Sequence, residues 1–527
     1  MSFFSVIFLV FLTILAIIYF LIPKRFQWIC LLAASYVFYI WTGGWKAVLF
    51  LITTTVTVFL GGLWMDREER KAPEPVVPDK AGRKRYPPEL QKKRRRAKIL
   101  VILINLLLLA LVKYAASVIS TVNGLLGEGN AIPVPTILLP LGISFYTFQS
   151  LGYLIDVYRG KVEADRNIFK FALFVSYFPQ IVHGPISRYG QLAHQLYESH
   201  TFDYERVRLG AQRILWGLFR KLVIADRIAV IVNEVFANYY KEGYEGFTVF
   251  IGAFLYGVQI YIDFSSGMDI ALGISQIFGI EQVENFKQPF MAKSVADFWR
   301  RWHITLGAWM REYVFYPLAM SKPFTKMGKR LRKVFGSKAG KVIPTSIASF
   351  IVFILVGIWH GASWNYVAYG LYQAVFVSTN TLFAGFYAKL RKFFHVKEEC
   401  ASWQIFQVLR TVLIITFGRY LSRATGFMHG FRMWKATFAK WNPWVLFDGT
   451  LTKLGLSPAN FRLMLMLIVG VFVVDFFHEK GYRFREHLNQ KDIVFRWTVY
   501  FLAIFGIIIL GMYGWGFSAG NFIYQGF

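Results

Sequence analysis

The sequence predicts an all-α polytopic membrane protein, and three observations carry that prediction. Of 527 residues, 56% are hydrophobic and only 17% are charged. Apolar runs recur along the chain, beginning with FFSVIFLVFLTILAIIYFLI (Phe3 to Ile22) and VLFLITTTVTVFLGGLWM (Val48 to Met65). A helix needs about 20 such residues to cross the hydrocarbon core. The runs lack period-two alternation, which argues against a transmembrane β-barrel.

The formal net charge is +29. In a soluble protein that excess would suggest nucleic acid. Here the basic residues cluster between apolar runs, so membrane topology explains them and no nucleic-acid partner is expected. Residues 66–98 hold KRYPPELQKKRRRAK. Residues 321–341 read SKPFTKMGKRLRKVFGSKAGK, and no Asp or Glu lies between Glu312 and Glu398. Residues 479–491 form a third basic stretch. These segments are read as cytoplasmic, available to anionic lipid or to a phosphorylated donor. The two cysteines, Cys30 and Cys400, make no disulfide framework and no metal-spaced cluster, so no metal is expected.

Each element follows from these anchors. Only Met1 and Ser2 precede the first run, and Lys24-Arg25 follow it, so it is read as a retained span with its N-terminus outside. Spans are expected near 3–22, 27–41, 46–65, 99–118 and 136–156. Residues 169–188, with Pro179, Gly184 and Pro185, read as a short, broken, re-entrant segment lining a cavity. Spans near 222–238 and 247–264 follow. Then come an amphipathic segment at 294–316, a pair at 346–361 and 364–385, and spans near 403–420, 461–477 and 495–515. The tail FSAGNFIYQGF falls outside.

Two histidines stand out. His360 ends the run after Pro344 in GIWHGASW, and an ionisable ring at membrane depth is costly. Basic anchors flank the pair of runs around it, so GASW is the tip of a helical hairpin. From Thr345 to His360 a helix rises about 23 Å at ~1.5 Å per residue. Gly361 and Ala362 leave room beside the ring. His303 lies in SVADFWRRWHITLGAWMREYVFYPL, where Ser294 and Asp297 form a capping-box-like start and Phe298, Trp302 and Trp309 recur near helical spacing.

Chemically, a neutral imidazole at His360 suits a general base that takes a proton from an alcohol attacking a thioester, with His303 as a second donor or orienting group. Desolvation favours that neutral ring. A structural histidine bonded to a neighbouring helix is the alternative. For 294–316 the alternative is an interfacial helix with snorkelling arginines. Arg300, Arg301 and Arg311 offer forks to phosphates or to Asp297. Asp263, Asp269 and Asp156 read as paired structural carboxylates, although Asp269 can also orient Arg300 or a histidine. No catalytic triad, Walker loop or dinucleotide fingerprint competes.

FPQIVHGPISR, YIDFSSGMDIALGISQIFGI, FWRRWHITLGAWMREYVFYPL and GIWHGASWNYVAYGLYQ resemble the signature segments of the membrane-bound O-acyltransferase (MBOAT) family, in order, from about residue 100 to 385. LSRATGFMHGFRMWKATF and the N-terminal spans resemble its bacterial alginate O-acetyltransferase branch. The resemblance implies a helical bundle around a funnel and tunnel, the family's catalytic histidine at His360, and a second active-site histidine at His303. Arg300, Arg301, Asp269, Trp302, Trp359 and Gly361 are supporting or donor-binding candidates. The implied donor is cytoplasmic acetyl-CoA, used as a substrate, with no tightly bound cofactor. The implied acceptor is an extracytoplasmic polysaccharide, served by an SGNH-type esterase or acetyltransferase partner, at a bacterial inner membrane with both termini extracytoplasmic. The chain departs from the family pattern at His183, before GPI, and at AMSKPF after Pro317-Leu318.

On this reading residues 1–65 are N-terminal spans, 66–98 a basic cytoplasmic loop, 99–400 the catalytic core, 401–515 a C-terminal transmembrane extension and 516–527 the tail. The tail pattern Phe522-x-Tyr524-x-x-Phe527 resembles the C-terminal motif of the small partner of the D-alanyl lipoteichoic-acid transferase, whose Tyr carries the acyl group. Tyr524 is therefore a candidate acyl relay, against an aromatic interfacial anchor. The competing functions are D-alanyl transfer from a carrier protein to teichoic acid, and non-enzymatic transport of a lipid-linked sugar.

Overall fold

A computed structural model describes residues 2–71, 86–126, 132–134 and 140–513. The candidate relay Tyr524 and the whole tail, 516–527, lie outside the described residues. Helices dominate, and among the described residues the sole β-type pairing is one antiparallel bridge between Phe286 and Trp302. Eight of the described helices are long and apolar enough to cross a membrane. This is an all-α polytopic membrane protein. Two compact units divide it: Met1–Gly217 with Gly267–Val283, and Leu218–Ser266 with Glu284–Phe527.

The first unit holds α1 (Val6–Leu21), α2 (Gln27–Gly43), α3 (Trp45–Arg70), α4 (Pro88–Leu126), α5 (Ile143–Tyr158), α6 (Ile168–Ser176), α7 (Phe178–His183), α8 (Tyr189–Tyr197) and most of α9 (Tyr204–Phe219). Helices α3 and α4 run past their predicted ends into charged sequence. Arg, Lys and Glu are good helix formers, so the helix continues where hydropathy stops. Ion pairs join these extensions, Lys93 to Glu68 and Arg94 to Glu69, each at 3.6 Å.

The predicted broken segment is broken, at Tyr177, between α6 and α7. Irregular backbone at membrane depth needs side-chain partners, and it has them. The Ser35 hydroxyl accepts from the Phe178 N–H at 3.1 Å, and the Gln149 amide donates to the Phe174 carbonyl at 2.7 Å. His183, where the chain departs from the family pattern, is buried with its ring edge-on to Phe3 at 5.1 Å.

In the second unit a π-turn (Arg220–Ala225) leads into α10 (Asp226–Ala237) and α11 (Tyr239–Glu242), and then α12 (Gly246–Ile277), which contributes to both units. There follow α13 (Val295–Arg301), α14 (Ile304–Met310), α15 (Tyr316–Ala319), α16 (Lys322–His360), α17 (Trp364–Leu382), α18 (Ala384–Phe393), α19 (Ala401–Arg423), α20 (Phe427–Ala439), α21 (Pro458–Glu479), α22 (Phe484–Asn489) and α23 (Ile493–Leu510). Buried Lys221 is held between Asp226 and Asp263, with Nζ 2.7 Å from an oxygen of each.

Helix α16 is two helices that reverse at Gly336 (φ 84°, ψ 172°). A Cβ on Gly328 would lie 2.8 Å from the Gly340 carbonyl oxygen, an approach a straight helix does not permit. The basic stretch 321–341 thus folds back on itself before the span to His360 begins.

The predicted hairpin around GASW forms. It is held by Gly357 and Gly370, whose missing side chains let α16 and α17 touch backbone to backbone. A Cβ on Gly357 would stand 2.6 Å from the Tyr366 carbonyl oxygen and 3.0 Å from the Gly370 Cα. Small residues allow this approach between membrane helices. Gly357→Ala is therefore expected to lower the thermal midpoint of the detergent-solubilised protein, costing about 1–3 kcal/mol. Gly124→Ala, where an added Cβ meets nothing, is expected to leave the midpoint unchanged or raised, because alanine is the better helix former. Equal effects of the two substitutions rule the close packing out as a source of stability.

Candidate active site

The site grows from a break in the backbone. A single amphipathic helix over 294–316 is the expectation from spacing, and the structure corrects it. Helix α13 ends at Arg301, Trp302 is extended (φ −103°, ψ 127°), and His303 takes the left-handed conformation (φ 46°, ψ 54°) before α14 begins. Few non-glycine residues sit there, and tertiary contacts must hold them. The extended stretch around Phe286 does so. The Lys287 N–H donates to the Arg301 carbonyl at 2.9 Å, and the Ile304 N–H donates to the Asn285 carbonyl at 3.0 Å.

The expected cap is present. The Ser294 hydroxyl accepts from the Asp297 N–H at 3.1 Å. Asp297 in turn pairs with Arg300 and Arg301 at 3.1 and 3.2 Å. Arg301 also forms a two-pronged pair with Glu479 at 2.7 and 2.9 Å, which ties α13 to α21. Phe298 and Trp302 stack at 5.5 Å, so the predicted aromatic stripe holds up to the break. Beyond it Trp309 packs on Tyr313.

His303 is 2% exposed. Its Nδ1 lies 3.3 Å from the Asn285 side-chain oxygen, which also accepts from the Thr305 N–H and hydroxyl, both at 2.9 Å. A backbone N–H can only donate, so that atom is the carboxamide oxygen. Nδ1 must therefore carry the proton, and Nε2 is left as the basic nitrogen. The ring stands edge-on to Phe264 at 5.0 Å. Burial pushes its pKa down to about 3, keeping the imidazole neutral.

His360 is the last residue of α16 and is half-buried. Trp359 joins the two histidines. Its indole lies 4.8 Å from the His360 ring and 6.3 Å from the His303 ring. Tyr366 stacks beyond His360 at 6.4 Å. Gly361 makes room for that tyrosine, because an added Cβ would lie 2.5 Å from its ring. The expected space beside the glycine is thus filled by the protein's own side chain. Asp269 pairs with Arg213 at 2.9 Å in the first unit, and Arg300 with Asp297.

Two residues of this neighbourhood escape sequence reasoning. Asn285 is fully buried but sits in ENFKQPF with no spacing that links it to His303. Arg419, in FGRYLSR, is also buried. Its only sequence signal is an ionisable residue in an apolar run. Among the described residues no cluster of His, Cys, Asp and Glu could hold a metal.

A polytopic helical membrane protein with two histidines on one buried indole is a defined class. The family model of the MBOAT, membrane-bound O-acyltransferase family, matches residues 163–426. A probable alginate O-acetylase of Pseudomonas aeruginosa is 31% identical over 93% of this chain and 83% of its own length. Its counterpart in Pseudomonas syringae is 30% identical over 93% and 84%. A teichoic acid D-alanyltransferase of Bacillus subtilis is 28% identical over 55% of this chain and 70% of its own. The chain belongs to the membrane-bound O-acyltransferase family.

The Asn285 contact sets a pH test. With His303 at about 3, its ring stays neutral from pH 5 to 9 and contributes no acid limb to the activity profile. Asn285→Asp places a carboxylate against Nδ1, which favours the imidazolium and raises the pKa. Acyl-transfer activity of this variant is expected to fall as pH drops through the raised value, while Asn285→Ala loses roughly 10- to 100-fold at every pH, by analogy with the loss of groups that orient a ligating histidine. An unchanged acid limb in Asn285→Asp refutes the assigned contact.

Proposed function

We propose that this acyltransferase moves acetyl from cytoplasmic acetyl-CoA toward hydroxyls of an extracytoplasmic polysaccharide. The observation that carries the reading is the placement of His360 and His303 on the shared Trp359 indole. His360, half-buried at a helix end, is the group a substrate can reach. Its imidazole takes the proton as the acceptor oxygen attacks the thioester carbonyl. The carbon–sulfur bond then breaks and the departing thiolate is protonated. His303, with Nδ1–H bonded to Asn285, presents Nε2 to the same locality and positions the reacting groups. The probable alginate O-acetylases among the similar proteins support a polysaccharide acceptor. Basic residues in 321–341 suit the phosphates of the donor.

The same reading places the protein in a bacterial cytoplasmic membrane with both termini outside. Acetyl is then passed to an SGNH-type partner, or relayed by Tyr524 as a phenyl ester whose phenol oxygen displaces the thiol of the donor. Peptide mass spectrometry of the donor-loaded protein is expected to find one added acetyl on the C-terminal peptide, lost in Tyr524→Phe. A peptide that never gains that mass, in a fully active Tyr524→Phe protein, removes the relay and leaves the transferase reading intact.

Purified protein incubated with radiolabelled acetyl-CoA is expected to transfer label to an added polysaccharide acceptor. His360→Ala should lower that rate by about 100-fold or more, with the thermal midpoint retained. Label transfer that survives His360→Ala defeats the assignment. Activity only with a D-alanyl carrier protein redirects the donor.

A further inference from the structure

Among the described residues of the second unit, one buried cation has no carboxylate within ion-pair distance. Arg419, on α19, is 2% exposed. Its Nη1 donates to the Tyr369 hydroxyl at 3.3 Å. Its Nε and Nη2 have no hydrogen-bond partner among the described residues. A guanidinium is charged at every accessible pH, and burying one without a counter-charge is strongly unfavourable. Neighbouring cations avoid that state. Lys221 has Asp226 and Asp263, and Arg301 has Asp297 and Glu479. Arg227 donates through all three nitrogens, to the Val223 and Leu510 carbonyls and the Asn460 side chain.

The two unmet N–H groups share one edge of the planar fork. Nε and Nη2 point the same way and lie parallel, the arrangement that grips two oxygens of one carboxylate or phosphate. The rest of the group is fixed. The guanidinium lies over the Trp302 ring at 5.1 Å and near the Tyr369 ring at 6.0 Å. Gly257 faces the Nε side without a side chain of its own, where an added Cβ would sit 3.9 Å from Nε. Trp302 precedes His303 in the chain, and Tyr369 lies one turn beyond Tyr366, which stacks on His360. The unmet edge thus belongs to a group that packs on Trp302 and Tyr369, near in sequence to His303 and to Tyr366.

We propose that Arg419 is a bidentate anion-binding residue, whose Nε–Nη2 edge holds a two-oxygen anion of one of the two substrates: a phosphate of the donor or a carboxylate of the acceptor. The assignment rests on the acyl-transfer reading for which molecules arrive, but not for the binding itself. Anion binding supplies the counter-charge that the fold omits, and makes charge a criterion of substrate choice.

The test is equilibrium binding to the full-length purified protein, wild type beside Arg419→Met and Arg419→Lys. Two ligand pairs are used. Acetyl-CoA is compared with acetyl-pantetheine, which keeps the thioester and loses the nucleotide phosphates. A hexuronate oligosaccharide is compared with its carboxyl-reduced form. Wild type is expected to prefer the charged member of one pair by 10-fold or more. Arg419→Met should erase that preference, Arg419→Lys should restore part of it, and the other pair should not move. The pair that responds names the source of the anion. Because Met removes an uncompensated charge, its thermal midpoint should be no lower than wild type. Should it fail to fold, Arg419→Lys, which loses the fork and keeps the charge, is read the same way. Equal loss for charged and neutral ligands, equal loss in both pairs, or no preference in wild type each overturns the proposal. Binding results of the expected kind with no acetyl transfer in wild type would instead indict the acyl-transfer reading alone.

Discussion

One carboxamide oxygen organises the candidate site. The side chain of Asn285 accepts from the backbone and hydroxyl of Thr305 and lies against His303 Nδ1. Its backbone carbonyl takes the first N–H of α14. A chain that must break between two short helices exposes orphan donors, and an isolated break inside an apolar bundle is unstable. Asn285 satisfies those donors and, with the same atom, fixes which nitrogen of His303 is protonated. The strained left-handed residue and the tautomer therefore have a common cause. Without that oxygen the His303 Nδ1 proton and the Thr305 donors lose their acceptor, and only backbone bonds hold the break.

Low dielectric explains why the rest of the unit is arranged as it is. Charges taken from water demand partners, and most here have them. The Arg301–Glu479 fork joins two helices that share little other sequence logic, and Lys221 is shared between two aspartates around a π-turn. Such pairs add little net stability over an apolar replacement, but they penalise any other register severely. Uncharged networks do the same at the α6–α7 break, where Ser35 and Gln149 replace lost helix bonds. Against these pairs the unmet Nε–Nη2 edge of Arg419 stands out, because it lies against Trp302 next to His303.

Close backbone contact is the other constraint. The hairpin that ends in His360 depends on Gly357 against Gly370, and on Gly361 yielding its space to Tyr366. Lipid does not drive apolar helices together as water does, so shape must. The position of His360 relative to Trp359 is set by this packing, not by the length of the apolar run that delivers it.

Hydropathy and charge, read from the sequence alone, determine the membrane class, the hairpin at GASW and the approximate ends of some helices. α2, for example, is expected at 27–41 and runs Gln27–Gly43. They do not determine the number of spans: twelve are expected, and eight of the described helices are long and apolar enough to cross a membrane. His360 and His303 are singled out because an ionisable ring in an apolar setting is rare. Short-range rules also place the Ser294 cap and the Asp297 pairings, which span three or four residues. Long-range pairing is what one-dimensional pattern does not contain. Helices α3 and α4 outrun their apolar runs because propensity persists where hydropathy ends. The reversal at Gly336 hides inside a helical composition. Asp269 meets Arg213 at a sequence separation of 56. The break at Trp302 interrupts a near-helical spacing of aromatic residues, and Asn285, eighteen residues before His303, supplies the hydrogen bonds there. Solvent preference is a property of each residue and its near neighbours, so it survives in sequence. Satisfaction of buried polar atoms belongs to the assembled chain, and only the tertiary structure decides it.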